Sequence, residues 1–215
     1  MKKLQVWIVM SCLVFLFSGC SPQRVSEAKA KEAGLVLINQ AFDADETEAT
    51  VEYQEWAGAT YVRGGVVQYG TEDPHRVYVV KVDPDEIGNA RYYAEVDAET
   101  GVAYRAERSP STIELTQEQQ KQASTLGTLE DFNPDSLVDV QSDAMAIVLN
   151  LLQTRLELDV PLFRIYPDLI ESDSVDFPKV RLEYILIMEN AVVYDITLLW
   201  PSMDLIGVVM KNDEL

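Results

Sequence analysis

The chain is short of the side chains that most enzyme chemistry needs. Its 215 residues hold one histidine, His75, and two cysteines, Cys12 and Cys20, both at the extreme N-terminus. A zinc site built from Cys and His ligands is therefore not available, and neither is a disulfide framework. Nucleophilic catalysis normally needs a base beside a Ser, Thr or Cys. His75 follows Pro74 at the start of an apolar strand and reads as a polar surface residue. No phosphate-cradling glycine loop occurs, because Gly64-Gly65 has neither the GxGxxG spacing nor a following Lys-Ser/Thr pair. Basic residues are scarce, with 17 Lys and Arg against 36 Asp and Glu, a formal charge of −19. Such a surface repels nucleic acid and anionic headgroups and favours basic partners. The carboxylates fall mostly in turns or on alternating solvent positions, which argues against a paired-acid hydrolase. The expectation is a protein that is not an enzyme and carries no cofactor.

What is present begins with a leader. Met1, Lys2 and Lys3 form a short positive segment, and residues 4–17 are apolar except for Gln5 and Ser11. That run is too short to span a bilayer and reads as a signal-peptide core. Phe17-Ser18-Gly19-Cys20 resembles the lipobox of bacterial lipoproteins, with Phe17 where leucine is usual. The resemblance implies cleavage after residue 19 and acylation of Cys20, which anchors a chain without a transmembrane helix. Loss of Lys2 and Lys3 with the leader leaves 15 basic residues against 36 acidic ones, a formal charge of −21. The expected parts are a signal peptide over 1–19 and a tether over 20–24. The expected location is the extracytoplasmic face of the cell membrane.

Beyond the tether, a helix is expected over 25–42, with Val25, Ala28, Leu35, Ile38 and Phe42 on one face. Gly34 inside it costs about 1 kcal/mol relative to Ala, which close approach to a sheet would offset. An acidic break at 43–48 leads to a strand over 49–56. Residues 58–70 read as a loop or weak hairpin. Val77, Val79 and Lys81 alternate with Tyr78, Val80 and Val82, the period of a strand. Tyr92, Ala94 and Val96 alternate in the same way, and a third strand covers 102–106. The chain reverses at 97–101, where Gly101 supplies a positive φ and Asp97 accepts backbone N–H groups.

This stretch, YYAEVDAETGVAY after an apolar strand, resembles the PepSY domain, whose hallmark is a strand ending in VDxxTG. Asp97, Thr100 and Gly101 are the turn residues that match. The resemblance covers about residues 25–107 and implies a helix packed on an antiparallel sheet, with a regulatory or interaction role outside the cytoplasm. PepSY domains accompany thermolysin-type proteases, so it also implies a secreted or membrane peptidase, or another cell-envelope protein, as partner.

Residues 109–140 read as a polar linker with a helix in TQEQQKQAS, where Thr116 and Gln119 have capping-box spacing. Over 141–215 the first pattern returns. Ser142 can cap a helix over 143–157, with Met145, Val148, Leu149 and Leu152 at helical spacing. Strands follow at 162–166, 180–188, 191–200 and 205–210, with an acidic loop at 168–177. Residues 96–102 align on 199–205, placing Trp200 on Asp97 and Asp204 on Gly101. The expected fold is α+β, two helix-plus-antiparallel-sheet units in tandem, the second degenerate.

Two further sites come from the residues alone. Tyr92 and Tyr104, if they share the outer face of the meander, would form a peptide-binding patch. DPDEIGN at 83–89 has Asp, Asp and Gly at calcium-loop positions, but Ile87 and Ala94 occupy ligand positions, so a hairpin turn is the better account and no metal is expected. The functional alternatives are a non-enzymatic interaction module, or a lipoprotein that holds a small molecule or peptide in a concave sheet face.

Overall fold

The computed structural model describes residues 24–56, 60–63, 66–69, 75–86, 88–124, 138–156, 161–172 and 179–211. The leader with Cys20 and linker residues 125–137 lie outside them. The chain is α+β, with three α-helices among the described residues, α1 (Glu27–Phe42), α2 (Gln117–Ser124) and α3 (Val138–Thr154). Ten strands accompany them among the described residues: β1 (Thr50–Trp56), β2 (Thr60–Arg63), β3 (Val66–Tyr69), β4 (His75–Val82), β5 (Tyr92–Asp97), β6 (Ala103–Arg108), β7 (Leu162–Ser172), β8 (Val180–Met188), β9 (Val193–Trp200) and β10 (Asp204–Lys211). Eight form one antiparallel sheet in the order β1-β4-β5-β6-β10-β9-β8-β7, and β2 and β3 pair as a separate hairpin.

The strand order reads alike from either border. Each half is a helix followed by strands that meander inward, and the halves join where β6 pairs with β10 through Glu107↔Gly207, Ala106↔Val208 and Arg105↔Val209. Helices α1 and α3 share one core against the sheet. Tyr78, Val80 and Val82 of β4 belong to it, as do Leu182, Tyr184 and Leu186 of β8. α1 packs chiefly on β4, β5 and β6 and reaches β10, while α3 packs on β8.

Local chemistry explains the elements. Ser26 caps α1 by accepting from the Lys29 N–H at 3.3 Å, and Asp43 ends it in the left-handed conformation. The buried face uses Ala30 and Gly34 with Leu35, Ile38, Ala41 and Phe42, whereas Ala28 is exposed. A Cβ on Gly34 would stand 2.7 Å from Val80 Cγ2, so this glycine is what lets α1 lie directly on β4. In α2 the capping box forms: Thr116 N–H donates to Gln119 Oε1 at 2.9 Å and Gln119 N–H to Thr116 Oγ1 at 3.2 Å.

The second half departs from expectation in three places. α3 begins at Val138, so Ser142 sits inside the helix rather than at its start. Its buried face is Ala144, Val148, Leu151 and Leu152, with Leu149 turned outward. β7 continues through Pro167 to Ser172, where an acidic loop was expected. Pairing with β8 resumes at Ile170↔Leu182 after an irregularity, and a second irregularity lies at Phe163.

The two reversals correspond at an offset of 102 residues, one less than sequence alignment suggests. Gly101 N–H donates to Asp97 O at 2.9 Å, and Met203 N–H donates to Leu199 O at 2.7 Å. Gly101 has φ 76° and Met203 φ 60°. Val102 N–H reaches Thr100 Oγ1 at 3.2 Å, as Asp204 N–H reaches Ser202 Oγ at 3.3 Å. The left-handed residue of the second turn is therefore Met203 rather than Asp204, and Ser202 takes the place of Thr100. Leu199, fully buried, stands where Asp97 is, which removes the motif that sequence comparison keys on.

Candidate functional site

The turn residues Asp97, Thr100 and Gly101 are explained by architecture. Asp97 Oδ1 accepts from Glu99 N–H at 3.1 Å, Thr100 N–H at 2.6 Å and Thr100 Oγ1 at 2.7 Å, which closes the reversal. The turn then holds the start of α1. Val25 N–H donates to Ala98 O at 2.8 Å, and the Tyr78 hydroxyl donates to Val25 O at 2.8 Å. Lys29 and Val25 lie so close to Gly101 that a Cβ there would stand 3.1–3.2 Å from them. This motif fastens a helix to a sheet.

Tyr92 and Tyr104 do not form a shared patch. Tyr92 points under α1, where it stacks on Phe42 at 5.4 Å between ring centroids and is buried. Tyr104 belongs to the opposite face because a bulge intervenes. Glu95 faces Arg105 and Val96 faces Ala103, leaving Tyr104 as the extra residue of β6. A bulge of this kind re-aims a side chain that strict alternation would place elsewhere.

The re-aimed Tyr104 completes a cluster on the outer face. Its hydroxyl donates to Glu95 Oε2 at 2.7 Å, and the Tyr93 hydroxyl donates to Glu95 Oε1. Arg105 Nη1 lies 3.5 Å from Glu95 Oε1, and the same guanidinium binds Glu107 through Nε at 2.8 Å. Glu95 is the one buried charged residue among the described residues. A buried carboxylate is tolerated when its lone pairs are filled, and here two phenols and a guanidinium fill them. Burial first, and then the bond to Glu95, pushes both tyrosine hydroxyls well above their ordinary pKa.

A groove of about 780 Å³ opens beside this cluster, between the β4–β5 loop and the segment 109–112. Lys81, Asp83, Arg91, Tyr93, Glu107 and Arg108 line it. Arg91 bridges Glu46 at 2.8 Å and Asp83 at 2.7 Å, and its guanidinium lies over the Tyr92 ring. The loop is rigidified by Asp85, whose Oδ1 accepts from Asn89 N–H at 2.8 Å and whose Oδ2 accepts from Asn89 Nδ2 at 3.1 Å. Those bonds tie Asp85 to Asn89. No group of three His, Cys, Asp or Glu side chains that could hold a metal ion is found among the described residues.

Sequence reasoning missed Tyr93, Glu95, Arg105 and Glu107. The available signal was register: a turn at 97–101 brings the YxE of β5 against the RxE of β6 on one face. Cys20 lies outside the described residues, as do the side chains of Trp56, Tyr61, Tyr69 and His75. No helix among the described residues is long and apolar enough to cross a membrane. No family model matches the chain, and neither the curated proteins nor the solved structures contain a match.

Proposed function

We propose that the protein is a membrane-tethered extracytoplasmic lipoprotein made of two PepSY-like units, acting as a non-enzymatic interaction module that restrains a peptidase or holds another cell-envelope protein. The observation that carries this reading is a filled inner face. Ile38, Val80, Leu182, Tyr184 and Leu186 are each at most 1% exposed between helices and sheet. Part of the outer face is covered as well, Leu199 and Ile206 packing with Ile113 and Val77 and Val79 being at most 2% exposed, so the sheet offers partners the rest of that face and its ends. On that face the acids bordering the groove are already engaged: Glu107 by Arg105, Asp83 by Arg91 and Asp85 by Asn89. Fixed charges of both signs suit recognition of a protein surface and steering of its approach. The matching turns at 97–101 and 199–203 support duplication of one unit, and the lipobox at 17–20 supports anchorage through Cys20.

A second reading has its own support in the groove, whose volume falls in the range of about 300–1,000 Å³ usual for small ligands. Lys81, Arg91 and Arg108 give its lining cationic groups. A small polar ligand or peptide seated there would meet them.

The test uses the full-length protein and a thermolysin-type metallopeptidase. Saturable inhibition that weakens as salt rises above about 0.15 M, and that weakens further in Lys81→Glu/Arg108→Glu, is the expected result. Cys20→Ser should release the protein from membranes without loss of inhibition. Catalytic turnover by the protein itself, or wild-type inhibition unchanged in the groove variant, would reject the reading. A ligand that raises the melting temperature without any protein partner would favour the second one.

A further inference from the structure

The proposed acylation of Cys20, on which the orientation below rests, bears on which surface of the body the membrane meets. Val25 is fixed to the body twice, by its N–H to Ala98 O and by its carbonyl to the Tyr78 hydroxyl, both at 2.8 Å. Arg24 is fixed beside it, its guanidinium 4.3 Å from the centre of the Tyr53 ring. The chain between Cys20 and Val25 is five residue steps long, so it reaches at most about 18 Å when fully extended. The end of the body that carries the 97–101 turn is thus held within that distance of the acylated residue.

The groove lies at the other end of the same strands. β4 begins beside the turn, where Arg76 O accepts from Ala98 N–H at 2.8 Å. It ends beside the groove loop, where Val82 O accepts from Arg91 N–H at 3.0 Å. Seven steps separate His75 from Val82, about 23 Å at the usual rise of a strand. Without the leader the formal charge is −21, which opposes contact of the body with anionic headgroups.

We infer that the 97–101 turn and the N-terminus of α1 form the membrane-facing end, whose surface partner is the lipid bilayer, and that the groove is presented outward. Val102, 42% exposed and apolar, marks the near end, and Glu86, exposed in the groove loop, marks the far one. A soluble partner then reaches the groove without entering the headgroup layer, whereas the turn is shielded from it.

The experiment places one fluorophore on the acylated full-length protein in phosphatidylcholine vesicles that carry a dark acceptor on their headgroups. Val102→Cys and Glu86→Cys supply the two labelling sites, since the only cysteines are Cys12 in the leader and Cys20. Donor fluorescence should be lost more at 102 than at 86 on acceptor-bearing vesicles, and equally preserved on plain ones. Equal loss at both sites, or greater loss at 86, in protein that floats with the vesicles overturns the orientation and leaves the anchor standing. Protein that fails to float overturns the anchor and the orientation with it. Melting temperatures of the two labelled variants, matched to wild type, show that neither label has disturbed the fold.

Discussion

Replacing Gly34 by alanine sets two effects of known sign against each other. Within a helix, alanine is favoured over glycine by about 1 kcal/mol, so the change would stabilise an unconstrained α1. In this structure the new Cβ meets Val80 at 2.7 Å from Cγ2, 2.9 Å from Cβ and 3.1 Å from Cγ1. Val80 cannot turn away, because its branched side chain has few rotamers and is fully buried under α1. The helix must lift instead, which loosens Leu35 and Ile38 as well. Overpacking costs about 1–3 kcal/mol, and two contacts under 3.0 Å place this case toward the upper end. The net expectation is a loss of about 1–2 kcal/mol. For a chain of this length that corresponds to a drop of roughly 2–8 °C in melting temperature. Differential scanning calorimetry on the full-length protein reads it directly. Val36→Ala provides the comparison, since Val36 is 57% exposed on the same helix and should change little. A rise in melting temperature for Gly34→Ala would refute the close contact between α1 and β4.

Gly101→Val forces a β-branched residue to φ 76° against Val25 and should cost about 1–3 kcal/mol, read as a lower urea midpoint. Asp204→Val should cost less, because the left-handed position in the second turn is Met203; equal losses would count against that assignment. Alkaline stability gives the next expectation. The Tyr93 and Tyr104 hydroxyls are raised above 10.0 in the folded state, by burial and then by Glu95, so the native state keeps protons that the unfolded state releases. Their contribution is fully present below pH 10 and is lost as pH climbs above it. Tyr93→Phe/Tyr104→Phe should show a shallower fall in stability on that limb than wild type, and an unchanged slope would remove the tyrosines as its cause.

Much of the first half was legible because its signals are local. Val77 to Val82 is a β-branched and aromatic run, buried on both faces except at Lys81, and Gly101 with Asp97 names a turn that backbone sterics then enforce. The edge-to-edge joining of β6 to β10 was not legible, since nothing in AYRAER or DLIGVVMK specifies a partner a hundred residues away. Tyr104 was misplaced because a bulge shifts the alternation by one residue, and that shift leaves no trace in composition. Glu95 looked like a solvated strand residue for the same reason: its burial depends on Tyr104 arriving from β6. In the second half the expected strand stopped at 166, yet a border strand tolerates a residue without an N–H, and β7 continues through Pro167. Leu199 in place of Asp97 hid a turn whose backbone bonds and hydroxyl at Ser202 are otherwise retained.

β7 has a consequence for how copies of this protein behave when crowded. It is eleven residues long and stands at the border of the sheet, where an even strand would act as a growing end for further strands. Its outline is uneven. Phe163 interrupts the register near one end, Pro167 has no N–H to give, and the register breaks again before Ile170. A straight incoming strand therefore meets no long run of aligned donors and acceptors. Where copies crowd together, this irregularity denies β7 the role of a template for a further strand.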